Sequence, residues 1–407
     1  MTRNAYSETA RTDLRGLGLF GRGVALALRR APYGSLDLVW SDGRRLRFEG
    51  AHDGPGATIL IRDPASVRRM ALGGSIGLAE GYMSGAWDTP DLTAFLEFAA
   101  INLDAAREVG GRVTAPLNPV NRAIHALRTN TPRGSKRNIG HHYDLGNDFY
   151  ALWLDPDMTY SCAAFDGTAC DLKTAQRRKW DRLLDLLDAR PGQHLLEIGC
   201  GWGGFAIHAA KTRGLRVTGI TISDEQLTWA RRRVAEEGLE GVVEIRHQDY
   251  RSVAERFDHI ASIEMFEAVG MRYWPTFFGT VRDALVRGGR AAMQVITIED
   301  HRLEDYAAKP DFIQRYVFPG GMLPSPERFA SVAATAGLAC SEPTFFGQDY
   351  ALTLHAWEER FADTIQQVRA LGFDERFERM WRFYLSYCQA GFRTGSINVM
   401  QLSLTHA

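Results

Sequence analysis

Five cysteines in 407 residues are too few and too scattered for a disulfide framework. Cys162, Cys170, Cys200, Cys340 and Cys388 also lack the paired spacing of a zinc site, so no metal is expected. Long apolar runs are missing: none reaches the roughly 20 residues that span a bilayer. Arg11, Arg15, Arg22, Arg29 and Arg30 break up the N-terminal apolar residues, which argues against a secretory signal. There is no basic helix, RNA-binding signature or metal finger, and nucleic acid is not an expected partner. A reducing cytoplasm is the expected location.

The composition that remains, 45% hydrophobic and 24% charged, is that of a globular chain long enough for two domains. Net charge is −1, yet residues 1–140 hold 19 Lys/Arg against 13 Asp/Glu, so the excess of positive charge is N-terminal. That asymmetry suggests an anionic surface as partner; the plain alternative is an Arg-rich solvated surface.

Along the chain, Leu14–Arg30 is an apolar, helix-like segment with a basic end, suited to a membrane interface or to docking on a core. Ser35–Trp40 and Arg45–Glu49 alternate around Ser41-Asp42-Gly43, a hairpin signal, and Ala57–Ile61 supplies a third strand. Helical patterns follow from Pro64 to about Leu103. The polar stretch 129–140, punctuated by Pro132 and Gly134, reads as a linker. This divides the chain into a small α+β domain, 1–128, and a larger one, 141–407.

In the larger part, strands are predicted at His194–Ile198, Arg216–Ile220, Val243–Arg246, His259–Ser262 and Arg290–Val295. Helices fall between them, among them Ser223–Glu237 and Tyr273–Val286, the latter stopped by Gly288-Gly289. Strand–helix alternation at this spacing predicts an α/β fold with a doubly wound, mostly parallel sheet.

Leu195–Gly204 (LLEIGCGWGG) is the strongest local signal. An apolar strand ends in Glu197 and passes into Gly199, Gly201, Gly203 and Gly204, a turn that lets a ligand approach bare backbone. A dinucleotide loop would want an acid about 20 residues on, at the end of the second strand. Here Gly219-Ile220-Thr221-Ile222-Ser223 has none. Gln248-Asp249-Tyr250, after the third strand, offers a carboxylate and an aromatic face for adenine. This pattern suits S-adenosylmethionine (SAM) better than NAD, because SAM has no pyrophosphate to cradle.

From His142 onward the chain resembles the cyclopropane-fatty-acyl-phospholipid synthase family, which includes the mycolic acid cyclopropane synthases. The matching blocks are HYDLGNDFY (His142–Tyr150), LDPDMTYSCAAF (Leu154–Phe165), LLEIGCGWGG, GITISDEQ (Gly219–Gln226), QDY (Gln248–Tyr250), MFEAVG (Met265–Gly270), FIQRYVFPGGMLPS (Phe312–Ser325) and FGQDYALTLHAWEERF (Phe346–Phe361). The resemblance implies a Rossmann-like class I SAM-dependent methyltransferase with a smaller, lipid-engaging N-terminal domain. It implies that SAM lies against Tyr160, Gly199, Thr221, Gln226 and the Gln248–Tyr250 turn. It further implies that Cys162, Glu267, Ile296 and Tyr350 surround a bicarbonate ion, with Gln294 at a further position.

Family members transfer the SAM methyl to a cis double bond of an acyl chain, usually in a phospholipid already in the bilayer. An alkene is a weak nucleophile, so the reaction depends on holding it about 3 Å from the methyl. Transfer creates a carbocation that oriented anionic and π density stabilises, with water kept out. Proton removal from the new methyl then closes a ring. Phe149, Tyr150, Trp153, Tyr160, Trp202, Phe266, Tyr316 and Phe318 suit cation stabilisation or, for most of them, core packing. His141 and His142 are further catalytic candidates, or structural histidines.

Two positions depart from the ring-forming pattern. Ala268 stands where F-E-H is common, and Gln294-Val295-Ile296 replaces His-Thr-Ile. Gln294 can donate a hydrogen bond but cannot titrate. The expected product is a cyclopropane; the alternative is a methyl- or methylene-branched, furan-precursor chain made with a separate redox partner. An inner-face, peripheral membrane location and a homodimer complete the expectations.

Overall fold

The computed structural model describes residues 17–102 and 145–407. The chain divides into two compact units, residues 1–117 and 118–407. The expected linker at 129–140, and with it His141 and His142, lies outside the described residues.

In the first unit, α1 (Gly18–Leu28) precedes β1 (Tyr33–Val39), β2 (Arg45–Glu49) and β3 (His52–Ile61). Then come α2 (Ser66–Met83), β4 (Trp87–Asp88) and α3 (Leu92–Ile101). The sheet order is β2-β1-β3-β4, with β1 antiparallel to β2 and parallel to β3. Alternation drives it: Leu36, Leu38, Leu46, Phe48, Ile59 and Ile61 point to one buried face. Asp91 caps α3 by accepting from the Ala94 N–H at 2.9 Å. The hairpin and third strand match the sequence expectation.

Among the described residues of the second unit, α4 (Asn147–Trp153) and α5 (Leu172–Leu187) come first. It continues through β5 (His194–Ile198), α6 (Gly204–Arg213), β6 (Arg216–Thr221), α7 (Asp224–Glu236), β7 (Val243–His247) and β8 (Phe257–Ile263). Next are α8 (Trp274–Ala284), β9 (Leu285–Ile298), α9 (Leu303–Ala308), α10 (Pro326–Thr335), β10 (Leu338–Cys340) and β11 (Thr344–Phe345). The chain ends with α11 (Gly347–Asp363), α12 (Ile365–Ala370), α13 (Glu375–Arg393) and β12 (Ile397–His406).

Strands run β10-β12-β9-β8-β5-β6-β7, and β11 also pairs with β12. The five strands from β9 to β7 are parallel, whereas β12 runs antiparallel to β9. β5 pairs with β6 on one side and β8 on the other, so the order reverses there. Open α/β sheets bind ligands at that switch point, beyond the strands' carboxyl ends. Separate apolar clusters form around Phe266, Trp274, Phe277, Phe278 and Phe329, and around Leu183, Leu187, Phe205 and Val234.

One boundary differs from expectation. The helix predicted to reach Val286 stops at Ala284, and Gly288-Gly289 lie inside β9. Pairing jumps from Phe257↔Leu285 to His259↔Arg290, so the glycines form an irregularity in a strand rather than a helix stop. A Cβ on Gly289 would meet the Asp258 carbonyl oxygen at 2.3 Å, which explains glycine there.

Candidate active site

The glycine loop follows β5 as expected. Gly199, Gly201 and Gly203 all have positive φ (85°, 52° and 84°), which only glycine adopts freely. At Gly199 a Cβ would meet the Met265 side chain at 2.7 Å, whereas at Gly201 it would meet nothing within 4 Å. Open space above a bare backbone, leading into α6, is a cradle that fits a nucleoside cofactor such as SAM.

Around the loop, Thr221 Oγ1 donates to Gln226 Oε1 at 2.9 Å, and the Gln248 N–H donates to the Thr221 carbonyl at 2.9 Å. Trp202 Nε1 donates to Asn147 Oδ1 at 2.6 Å, tying α4 to the loop. Tyr160 and Tyr384 share a hydroxyl–hydroxyl contact of 2.7 Å. The Tyr160 ring lies 5.3–5.5 Å from those of Tyr150, Trp153 and Trp357.

The two expected cofactor carboxylates differ in their partners. Asp249 accepts from Arg251 Nε at 2.8 Å and from Arg251 Nη2 at 2.6 Å. Its carboxyl is held below the usual range by those bonds against the opposing effect of burial. Tyr250 packs edge-on to Phe277 at 5.4 Å, leaving an aromatic edge after β7. Glu197 is buried, and its Oε2 has no hydrogen-bond partner among the described residues. Burial pushes that carboxyl up to about 8 against the pull of Lys179 and the Ala206 N–H.

Of the residues the resemblance places at bicarbonate, Cys162, Tyr350 and Gln294 converge, but on a carboxylate of the chain itself, whereas Ile296 and Glu267 pair with each other. Glu264 Oε1 accepts from the Cys162 N–H at 2.8 Å and from Gln294 Nε2 at 2.7 Å. Glu264 Oε2 accepts from the Tyr350 hydroxyl at 2.6 Å. Three of the donors expected around the ion are therefore spoken for, and the donor set does not fit a separate bicarbonate. The backbone agrees with a special role: Glu264 has φ 50°, a left-handed conformation that costs energy for a non-glycine residue. Its own N–H donates to the Gln294 carbonyl at 2.8 Å, pinning it at the carboxyl end of β8.

Glu267 sits beside this centre rather than in it. Its Oε1 accepts from the Ile296 N–H at 2.5 Å, and its Oε2 has no partner among the described residues. Burial, then the neighbouring Glu264 charge, pushes its carboxyl up to about 8, which favours the neutral form at pH 7. Burial also raises Glu264, but donors from Tyr350, Cys162 and Gln294 all oppose that rise. Cys162 contributes its backbone N–H. Its thiol, fully buried and donating to the Ala163 carbonyl at 3.1 Å, is held well above the usual range by burial, which disfavours a thiolate. Tyr350 is likewise raised, by burial and by Glu264, and stays a hydroxyl donor.

Behind Gln294, Gln401 Nε2 on β12 donates to Gln294 Oε1 at 2.9 Å. That bond turns the Gln294 amino group toward Glu264. Neither Glu264 nor Gln401 is among the residues singled out by sequence. The available signal for Glu264 was its place immediately after β8, three residues before Glu267, in the strand-end position where such sheets put chemistry.

A family model for mycolic acid cyclopropane synthetase matches residues 130–402. The chain is 40% identical over 399 residues to a tuberculostearic acid methyltransferase of Mycobacterium tuberculosis, covering 93% of this chain and 90% of that protein. It is 35% identical over 356 residues to the cyclopropane-fatty-acyl-phospholipid synthase of Escherichia coli K12, covering 85% and 87%. A crystal structure of a mycolic acid cyclopropane synthase complexed with SAH and CTAB superposes with a TM-score of 0.62. That pair shares 31% identity, covering 66% of this chain and 97% of the other.

Proposed function

Because the chain belongs to the mycolic acid cyclopropane synthetase family and is a SAM-dependent methyltransferase of lipid acyl chains, we propose that it methylates a cis double bond in a phospholipid acyl chain without closing a ring. The observation that carries this reading is the Glu264 carboxylate, held by the Cys162 N–H, Gln294 and Tyr350.

SAM supplies an electrophilic methyl to one alkene carbon. Gly199, Gly201 and Gly203, Tyr160, Thr221, Gln226 and the Gln248–Tyr250 turn would hold the cofactor. Methyl transfer leaves the second alkene carbon positive. Glu264, fixed by three donors, provides a preorganised negative charge for it. Glu264 then accepts one proton from the chain carbon that now bears the methyl; the C–H electrons form a new C=C bond to the cationic carbon, and the product is a methyl-branched, trisubstituted alkene. The proton later leaves Glu264 to solvent. Gln294 and Ala268 cannot titrate, so neither takes it. Gln294 and Ala268 both depart from the ring-forming pattern, and this supports loss from the chain carbon over ring closure.

The N-terminal unit supports a lipid substrate through α1. Leu19 and Leu26, two turns apart on one helix face, are 84% and 51% exposed, with Arg29 and Arg30 just beyond. Exposed leucines beside arginines suit an anionic bilayer surface. No helix among the described residues is long and apolar enough to cross a membrane.

Methyl-labelled SAM incubated with the protein and vesicles of monounsaturated phospholipid tests the reading. One labelled methyl on a trisubstituted acyl alkene is expected. A labelled cyclopropane methylene would contradict the product assignment, and unlabelled acyl chains would contradict the whole proposal.

A further inference from the structure

Lys179, on α5, is fully buried, and among the described residues its ammonium forms no ion pair within 4 Å. It donates instead to the Ser161 hydroxyl at 2.7 Å. A charged ammonium held by a neutral hydroxyl in a protein interior carries a large desolvation cost unless an anion nearby offsets it. Burial lowers Lys179 to about 8, and the groups that counter this are Glu264, Cys162, Asp155 and Glu197, in that order.

Hydrogen bonding separates those carboxyls. Asp155 accepts from the Thr159 N–H at 2.7 Å and the Asp157 N–H at 3.1 Å, so its charge is satisfied within its own turn. Glu197 keeps one oxygen without a partner, the pattern of a neutral carboxyl. Glu264 accepts three donors on two oxygens, the pattern of an ionised one.

Two covalent and hydrogen-bonded routes join Lys179 to Glu264. The first runs from the ammonium to Ser161, across one peptide to Cys162, and from the Cys162 N–H to Glu264 Oε1. Gln176, also on α5, clamps the same segment by donating to the Ser161 carbonyl at 2.9 Å. The second runs through Gln401 Nε2, which donates to the Lys179 carbonyl at 3.3 Å and to Gln294 Oε1 at 2.9 Å. Gln294 then reaches Glu264.

We infer that Lys179 is a positioning residue for the active site: its buried positive charge keeps Glu264 ionised, and its contacts fix the Ser161–Cys162 segment that binds that carboxylate. The inference rests on Glu264 being the anion of the proposed methyl transfer. Other groups facing Glu264 are Tyr350, Cys162 and Tyr384, with Glu267 on its own segment. None of them is a cation, and among the described residues Lys179 is the positive charge that acts on Glu264.

The test compares wild type with Lys179→Met, Lys179→Arg and Ser161→Ala. In the pH dependence of kcat/KM for methyl transfer, the acid limb of Lys179→Met should move up by about one pH unit, because Glu264 loses its counter-charge. Rates below that limb should fall roughly tenfold. Lys179→Arg should restore the limb, and Ser161→Ala should shift it in the same direction by less. A uniform loss of rate with an unmoved limb would mean a packing role only and would overturn the inference.

A thermal-unfolding cycle needs no turnover. Lys179→Met should destabilise wild type more than it destabilises Glu264→Gln, and should destabilise wild type and Glu197→Gln equally. Additive losses with Glu264→Gln, or coupling to Glu197 alone, would overturn the inference. If Lys179→Met does not accumulate as folded protein, the same cycle is read with Ser161→Ala. An inactive wild type with an intact coupling would instead fault the proposed function.

Discussion

Glu264 and Glu267 lie three residues apart at the end of one strand, and their surroundings drive them to opposite charge states. Glu264 has three donors and Glu267 one, and Glu267 also feels its neighbour's charge. Replacing Glu264 by Gln should therefore lower turnover roughly 10²–10³-fold, the loss typical of removing one preorganised charge. SAM affinity, measured by titration calorimetry, should change little. Replacing Glu267 by Gln keeps an acceptor for the Ile296 N–H in a group whose neutral form burial favours, so turnover should stay within a few-fold. The opposite ranking would reverse the two assignments. Legibility from sequence was uneven for the same reason. The resemblance puts Cys162, Glu267, Ile296 and Tyr350 around one ion with Gln294 further out; Glu267 and Ile296 pair with each other, whereas Cys162, Tyr350 and Gln294 meet beside them. What they surround is set by side-chain direction and by the left-handed backbone at Glu264, neither of which a residue pattern encodes.

Among elements, the strands were the most legible. Their apolar runs are short, bounded by glycine and polar residues, and spaced by amphipathic helices, so β5 is predicted to the residue. The bend in β9 was not legible, because Gly288-Gly289 reads as a helix stop locally. Its role as a strand irregularity is dictated by pairing with β8, a long-range contact. The β5–α6 turn carries an element-level prediction. Gly199→Ala introduces a Cβ at φ 85° and drives it to 2.7 Å from Met265. Unfolding in denaturant should show a loss of about 1–3 kcal/mol. Met265 directly follows Glu264, so methyl transfer should fall as well; a neutral outcome in both would contradict the packing described.

For the molecule as a whole, buried carboxyls predict a pH signature. Glu197 and Glu267 are pushed from 4.5 up to about 8 in the folded state. Between those values the native protein holds protons that the unfolded chain has released. The stabilisation is present at low pH and is lost as pH rises through about 8. The denaturation midpoint should fall over that window, and less steeply in the Glu197→Gln/Glu267→Gln double variant. Equal slopes would refute the protonation assignment. The N-terminal unit predicts surface behaviour: Leu19→Glu with Leu26→Glu should reduce co-sedimentation with anionic vesicles and leave SAM binding unchanged. Undiminished sedimentation would remove α1 from the account of lipid engagement.

In the proposed function the anion of the active site belongs to the chain, as Glu264, and is not supplied by solution. Methyl-transfer rate on phospholipid vesicles, measured in carbonate-free buffer and again after adding bicarbonate, tests this most directly. Equal rates in the two conditions are predicted for the wild-type protein. A several-fold rise on adding bicarbonate would contradict the account.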